Sequence, residues 1–230
     1  MRTSIDLMKQ QDRILKFLAE HPDYFDEWEK MHIRSGSKID YSGKFIPDIM
    51  RELYAELDLF KEDEDIYQGF LDLLKQEFDI NQDIVEIGGG IIPNLAKKIA
   101  MAQETGTVTV YDPRLGTTKT DIPNLKLRKE KFTLSTDISK AGLIVAFMPC
   151  EATETIIRSA TSNKKDFMLG FCEGGPHGDI FDFYESDDEW LHAMLYYAEN
   201  QIESNNLGTL QKTYFKKYHD PYPIVWNKRN

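Results

Sequence analysis

The residues best suited to chemistry lie between positions 84 and 112. An apolar run that contains one acid, Ile84–Ile87, leads into the three glycines of residues 88–90. A second apolar run, Val108–Tyr111, ends at Asp112. Glycines let the backbone turn tightly and approach a ligand, and a carboxylate at the tip of the next strand can accept hydrogen bonds from two ribose hydroxyls. The spacing therefore predicts a strand, a glycine turn, a helix and a second strand that bind a ligand with an adenosine-like moiety.

The segment between the two runs has helical character. Proline suits a first helical position, which Pro93 can occupy, because the N–H that it lacks would be unpaired there. An apolar face follows at helical spacing, formed by Leu95, Ala96, Ile99 and Ala100. The pattern predicts a helix that begins near Pro93 and ends before Gly106.

Length, apolar runs and cysteines bound the class of protein. At 230 residues the chain can bury one full core with an appendage. Its longest apolar stretch, residues 143–148, is too short to cross a bilayer, and the N-terminus lacks the apolar core of a secretion signal. Its two cysteines, Cys150 and Cys172, favour reduced thiols over a disulfide framework or a metal module. We expect a cytoplasmic protein with no membrane partner and no metal site.

The charge balance narrows the choice of partners. The net charge is −11, which would repel the phosphate backbone of DNA or RNA. We therefore expect a small-molecule substrate and no nucleic-acid partner. The sequence leaves the oligomeric state open.

Two regions of different pattern follow one another. Residues 1–80 show apolar positions at helical spacing in residues 5–18, 49–60 and 66–78, and no strand pattern. From residue 84 onward, strand patterns alternate with helices or loops, which favours a mostly parallel sheet. We expect a helical extension or cap over residues 1–80 and a sheet domain over residues 81–230.

Individual strands can be placed within this sheet. Residues 125–129 alternate apolar and charged side chains, which suits an edge strand, and residues 143–148 are apolar throughout, which suits a central strand. After a further strand at 167–172 and a helix near Trp190, residues 209–215 and 224–226 flank a turn-rich loop. The fold class predicted is α/β, a doubly wound, Rossmann-like sheet with a C-terminal antiparallel strand pair.

This order of elements resembles the class I S-adenosylmethionine (SAM)-dependent methyltransferases over residues 80–230. The first motif of that family, an acid, an apolar residue and glycines, is met by residues 86–90, and its second, an acid after the second strand, by Asp112. The resemblance implies that SAM is the cofactor and methyl transfer the activity. It also implies that Glu86 organises the amino group of SAM and that Asp112 holds its ribose hydroxyls.

The resemblance implies further cofactor contacts. Gly88 and Gly90, with Gly89 between them, would admit the methionine part of SAM. Three other residues would lie beside the cofactor, two of them near the adenine and one after the fourth strand: Pro113, Arg114 and Met148. An acid after the third strand would lie near the adenine amine, and either Glu130 or Asp137 fits that description.

The chain departs from the family pattern at three places. Ile92 stands where many members have a third glycine, and residues 115–124 lack a helical pattern. The fourth motif, residues 147–150, keeps one proline but has no Asn or Asp before it. The signature used for methylating the amino groups of adenine or cytosine is therefore absent, which agrees with the acidic charge.

Candidate catalytic residues follow the fourth and fifth strands, where ligands of parallel sheets gather. They are Cys150, Glu151, Cys172, Glu173 and His177. His177, in a glycine-rich turn, is the best candidate for a general base, with Glu173 next to it. The cysteines can equally be small apolar residues at strand ends, and His177 can be a surface loop residue.

Two alternatives share these features. A glycine turn followed by a strand-end acid also serves NAD(P)-dependent oxidoreductases. A non-catalytic binding or scaffold protein would keep the fold without the chemistry.

Overall fold

A computed structural model describes residues 64–149, 152–171, 187–215 and 222–229 of the chain. Within these ranges the chain forms four helices and seven strands. In chain order they are α1 (Glu64–Glu77), β1 (Ile84–Ile87), α2 (Asn94–Ala102), β2 (Val108–Tyr111), β3 (Leu125–Arg128), β4 (Leu143–Phe147), α3 (Thr153–Ser162), β5 (Asp166–Gly170), α4 (Asp187–Ser204), β6 (Gln211–Phe215) and β7 (Tyr222–Asn227).

The strands form one sheet in the order β3-β2-β1-β4-β5-β7-β6. The first five are parallel, and β7 runs antiparallel to both β5 and β6. The predicted fold class is confirmed, including the C-terminal antiparallel pair. The strand order reverses between β1 and β4, and in open sheets of this type ligands bind beyond the carboxyl ends of the strands at such a switch point.

Burial explains why these sequences take these places in the sheet. Every residue of β1 and of β4 is buried, as expected for parallel strands covered on both faces. In β3 the two leucines are buried and Lys126 and Arg128 are exposed, which agrees with its position at the edge. The predicted central strand and the predicted edge strand are therefore both confirmed.

Helices cover the sheet with the apolar faces that their spacing predicts. Helix α2 begins at Asn94, directly after Pro93, and buries the predicted face of Leu95, Ala96, Ile99 and Ala100. Helix α1 buries Phe70 and Leu74, and Phe78 directly after it is also buried. The core also contains Ile156 and Ile157 of α3 and Trp190 and Met194 of α4.

The chain divides into two compact units. The larger consists of Asp63–Gly89, Pro93–Pro113 and Thr118–Asn230, and it contains the eleven elements named above. The smaller consists of Met1–Glu62, Gly90–Ile92 and Arg114–Thr117. Its two described segments are joined by the Gly116 N–H, which donates to the Ile91 carbonyl at 3.0 Å. The predicted helices of residues 1–63 lie outside the described residues, and the predicted domain boundary at residue 80 stays a prediction.

None of the four described helices combines the length and the apolar character of a membrane span. Across the part of the chain that the structure describes, no three side chains of His, Cys, Asp or Glu come together as metal ligands would.

Candidate functional site

Glu86 is an acid in the middle of the sheet. It is the third residue of β1, its side chain is 2% exposed, and its strand neighbours are Val110 of β2 and Val145 of β4. The backbone N–H of Ala96, in the first turn of α2, donates to the carboxyl group. The other side of the group differs, because Oε2 has no hydrogen-bond partner among the described residues. The N-terminus of α2 thus supplies a hydrogen bond to only one side of this buried carboxyl group.

Gly88 begins the glycine turn and is held on both sides. Its N–H donates to the Tyr111 carbonyl at 3.0 Å, which continues the pairing of β1 with β2. Its φ of +79° is in the left-handed region, and a Cβ there would lie 3.0 Å from the Cα of Pro149. Glycine at this position therefore lets the turn pack against the residues that follow β4.

Gly89 and Gly90 differ in their surroundings. A Cβ on Gly89 would lie 2.8 Å from Cγ1 of Val110 and 3.2 Å from Oε2 of Glu86. A Cβ on Gly90 would have no described atom within 4 Å, and the φ of that residue is +73°. Close packing therefore requires glycine at position 89, whereas backbone conformation favours it at position 90.

Asp112 follows the last residue of β2 at the same edge of the sheet. Its N–H donates to the Arg128 carbonyl at 3.2 Å, which extends the ladder between β2 and β3 by one residue. Its side chain is 1% exposed. Because Ile87 pairs with Tyr111 in parallel register, Asp112 follows β2 where Gly88 follows β1. The structure thus brings together Glu86, the first two glycines and Asp112.

The two acids influence one another. Burial raises the pKa of Glu86, the charge of Asp112 raises it further, and the Ala96 N–H lowers it, which together set it at about 8. Burial disfavours the charged form of an acid, and a neighbouring negative charge has the same effect. Both effects favour the protonated form of Glu86.

Met148 marks the end of β4 with an unusual backbone conformation. Its φ is +55°, and its N–H donates to the Gly170 carbonyl of β5 at 2.8 Å. A left-handed conformation in a residue with a Cβ costs roughly 1–2 kcal/mol, and such residues cluster at functional sites. The next residue, Pro149, is the one that approaches Gly88. The ends of β1, β2 and β4 therefore meet at one place.

Three aromatic rings pack together at the end of β4. The ring of Phe147 has the rings of Tyr67 and Phe70 of α1 edge-on, at centroid distances of 5.7 and 5.5 Å. The apolar spacing of residues 66–78 includes Phe70, but Tyr67 is not among the residues predicted for the site. The signal was available, since Tyr67 is three residues before Phe70 and so lies on the same side of a helix.

The remaining predicted cofactor contacts are more exposed. Pro113 is exposed and Arg114 is half-buried. Glu130 and Asp137 are both exposed, and Oδ1 of Asp137 accepts the Ser139 N–H at 2.9 Å. That hydrogen bond is the main reason why the pKa of Asp137 lies below its ordinary value. The carboxylate of Asp137 is therefore engaged in a local turn.

His177 and Glu173, like Cys150, Glu151 and Cys172, lie outside the described residues.

Known proteins are similar to this chain in structure but not in sequence. No family model matches the chain, and no curated protein matches it. Magnesium protoporphyrin IX methyltransferase from Synechocystis PCC 6803, solved with bound SAM, is 10% identical with a TM-score of 0.51, over 96% of this chain and 97% of that one. Human N-acetylserotonin methyltransferase in complex with SAM is 10% identical with a TM-score of 0.50, over 87% of this chain and 62% of that one.

These similarities agree with the strand order of the sheet. The chain has the class I SAM-dependent methyltransferase fold, as the sequence resemblance implies. At these identities the similarity concerns the fold, so activity has to be argued from the site.

Proposed function

We propose that this protein is a SAM-dependent methyltransferase that acts on a small-molecule acceptor. One observation carries the proposal: two buried carboxyl groups, those of Glu86 and Asp112, flank a glycine turn at the switch point of a methyltransferase fold. SAM carries an ammonium group and a ribose in one molecule. The residues present fit both parts of it.

Each acid suits one of these parts. Oε2 of Glu86 lacks a partner among the described residues, and an ammonium group supplies the hydrogen-bond donor and the positive charge that it lacks. Asp112 follows the neighbouring strand, where a carboxylate can accept both ribose hydroxyls. The contacts that the sequence resemblance implies for Gly88, Gly89, Pro113 and Met148 belong to the proposed cofactor site, and those implied for Gly90 and Arg114 stay predictions.

The same geometry argues against a nicotinamide dinucleotide. Dinucleotides place their pyrophosphate at the N-terminus of the helix after the glycine turn, where backbone N–H groups bind it. In this protein the carboxyl group of Glu86 already accepts the Ala96 N–H in the first turn of α2. The function of an NAD(P)-dependent oxidoreductase is therefore less well supported than that of a methyltransferase.

The chemistry proposed is displacement at a methyl group. SAM supplies an electrophilic methyl on its sulfonium, and the protein has to align the acceptor with it and remove a proton where the acceptor requires that. We assign the proton removal to His177, with Glu173 as second candidate, and the acceptor-side cap to residues 1–80. The two structures reported above are named for small-molecule acceptors, which supports an acceptor of that class here. With the net charge of −11 we propose a cytoplasmic enzyme without a nucleic-acid partner.

Ligand-dependent thermal stability tests the cofactor. A ligand that binds only the folded protein adds ~2.7 kcal/mol of stability at a hundredfold excess over its dissociation constant. We expect SAM and its demethylated product to stabilise the wild type, NAD to leave it unchanged, and Asp112→Asn to weaken the effect of SAM. Asp121→Asn, a change at an exposed aspartate, is the matched control. Stabilisation by NAD alone would support the oxidoreductase.

A turnover assay tests the chemistry. Transfer of labelled methyl groups from SAM to a panel of small acceptors should proceed with the wild type and fall in His177→Ala and Glu173→Ala. Undiminished turnover in both variants would remove the assignment of the base. A protein that binds SAM and methylates nothing in the panel would support the non-catalytic alternative.

A further inference from the structure

Glu86 and Asp112 bring two acids of like charge into the interior of the protein. Both side chains are at most 2% exposed. Oε2 of Glu86 has no hydrogen-bond partner in the described part of the chain, and it points at the glycine turn, 3.2 Å from the position that a Cβ on Gly89 would take. Two buried acids that sense each other's charge are costly to ionise together unless a cation joins them.

The groups that face Glu86 come from the strands on both sides and from the helix. Its strand neighbours are the apolar Val110 of β2 and Val145 of β4. Helix α2 contributes the N–H of Ala96, and the end of β2 contributes the charge of Asp112. Of these groups Asp112 is the ionisable one, and its negative charge opposes the ionisation of Glu86.

The resulting protonation state depends on what lies next to Oε2. Burial, and after it the charge of Asp112, raise the pKa of Glu86 to about 8. An acid with such a pKa holds its proton at neutral pH. A cation in contact with Oε2 reverses the balance, since an opposite charge favours the ionised form.

We propose that Glu86 holds a proton in the ligand-free protein and releases it to solvent when SAM binds. This inference rests on the proposed function, because it takes the ammonium group of SAM to be the cation that meets Oε2. The O–H bond of the carboxyl group breaks, its electron pair stays on the oxygen, and the proton passes to the buffer. SAM binding is therefore linked to pH, and acid weakens it.

Titration calorimetry tests the linkage directly. SAM is titrated into the wild type at pH 7 in two buffers that differ in their enthalpy of ionisation, phosphate and Tris, so that the difference in heat counts the protons released. We expect release of about one proton per SAM by the wild type and by Glu203→Gln, a matched change at an exposed glutamate. Release should be absent in Glu86→Gln, whose folding is checked by circular dichroism.

A second measurement uses the wild type alone. SAM affinity should rise by up to about tenfold per pH unit below pH 7 and stop rising near a pH of about 8, where the amino group of SAM itself loses its proton. Binding without proton release, with an affinity independent of pH, would overturn the inference and leave the proposed function standing. Proton release that persists in Glu86→Gln would also overturn it. No binding of SAM at any pH would overturn both.

Discussion

Two polar side chains near the amino ends of the parallel strands are hydrogen-bonded within the chain, whereas the acid near the carboxyl ends has one oxygen without a partner among the described residues. At the amino end, Oδ1 of Asp83 accepts the Thr107 N–H at 2.9 Å, and Nε2 of Gln103 donates to the carbonyls of Ile80 and Gln82 at 2.6 and 2.8 Å. At the carboxyl end, Oε2 of Glu86 has no such partner among the described residues. Buried polar groups normally find partners within the chain. One unpartnered atom also lies near the amino end, Oδ1 of Asn227 beside Phe167, but it belongs to a neutral amide, whereas Glu86 is an acid at the glycine turn. This difference supports the proposal that the carboxyl end binds the ligand.

Substitutions at the two ends of the strands should therefore have different effects. Changes at the amino end should lower stability and leave ligand affinity intact, because the hydrogen bonds there join parts of the chain to one another. Changes at the carboxyl end should alter ligand affinity or its dependence on pH.

The largest effect is expected at Asp112. Removing its carboxylate in Asp112→Ala deletes the proposed acceptor of two ribose hydroxyls, which should weaken SAM binding by about a hundredfold, or ~2.8 kcal/mol. Calorimetry with SAM measures the loss, and Asp121→Ala is the control at an exposed aspartate. Equal affinities in the wild type and Asp112→Ala would exclude the proposed role of Asp112.

A smaller effect is expected in the glycine turn. The Cβ of Gly89→Ala would lie 2.8 Å from Cγ1 of Val110, so the variant should lose about 2 kcal/mol of stability through overpacking. Denaturant unfolding measures this loss. Gly208→Ala is the comparison without overpacking, since its Cβ would have no described atom within 4 Å. Its φ of +92° means that any loss of stability there comes from backbone strain. A Gly89→Ala protein as stable as the wild type would show that the turn adapts to the side chain.

At the amino end, Gln103→Ala should cost about 1.5 kcal/mol of stability, because two backbone carbonyls lose their donor. The affinity for SAM should not change. Unfolding and calorimetry on the same preparation make the comparison, with Gln76→Ala as the exposed control. A tenfold loss of SAM affinity in Gln103→Ala would contradict the division of roles between the two ends.

Per pH unit, the smallest change is expected in the pH dependence of stability. The pKa of Glu86 rises on folding from 4.5 to about 8, so the folded protein binds the proton more tightly than the unfolded chain. Its stabilising contribution is complete below pH 4.5 and is lost as the pH rises to about 8, by at most ~1.4 kcal/mol per unit. Unfolding free energies of the wild type minus those of Glu86→Gln should fall accordingly. A difference that rises with pH would contradict the burial of Glu86 beside Asp112.

Local patterns in the sequence predict the helices and strands well, because the faces that each element buries show in the spacing of its own apolar residues. The apolar run of β1 and the alternation in β3 each follow from which faces of a strand are covered. The first turn of α2 likewise follows from Pro93 and the apolar spacing after it. These features depend on neighbours in the chain.

Other features depend on partners that are distant in the chain, and no pattern reveals them. The approach of Pro149 to Gly88 results from the pairing of β1 with β4 and from the left-handed backbone of Met148. The unsatisfied oxygen of Glu86 is equally hidden, since an acid within an apolar run does not show which of its atoms has a partner. The roles of His177 and Glu173 stay predictions.

In the function proposed above, the carboxyl groups of Glu86 and Asp112 bind SAM. A crystal structure of the protein with the demethylated product of SAM tests it most directly, because that product keeps both the amino group and the ribose. We predict its ribose hydroxyls within hydrogen-bonding distance of Asp112 and its amino group at Oε2 of Glu86. A ligand bound elsewhere, or one whose ribose makes no contact with Asp112, would contradict the proposed roles of the two acids.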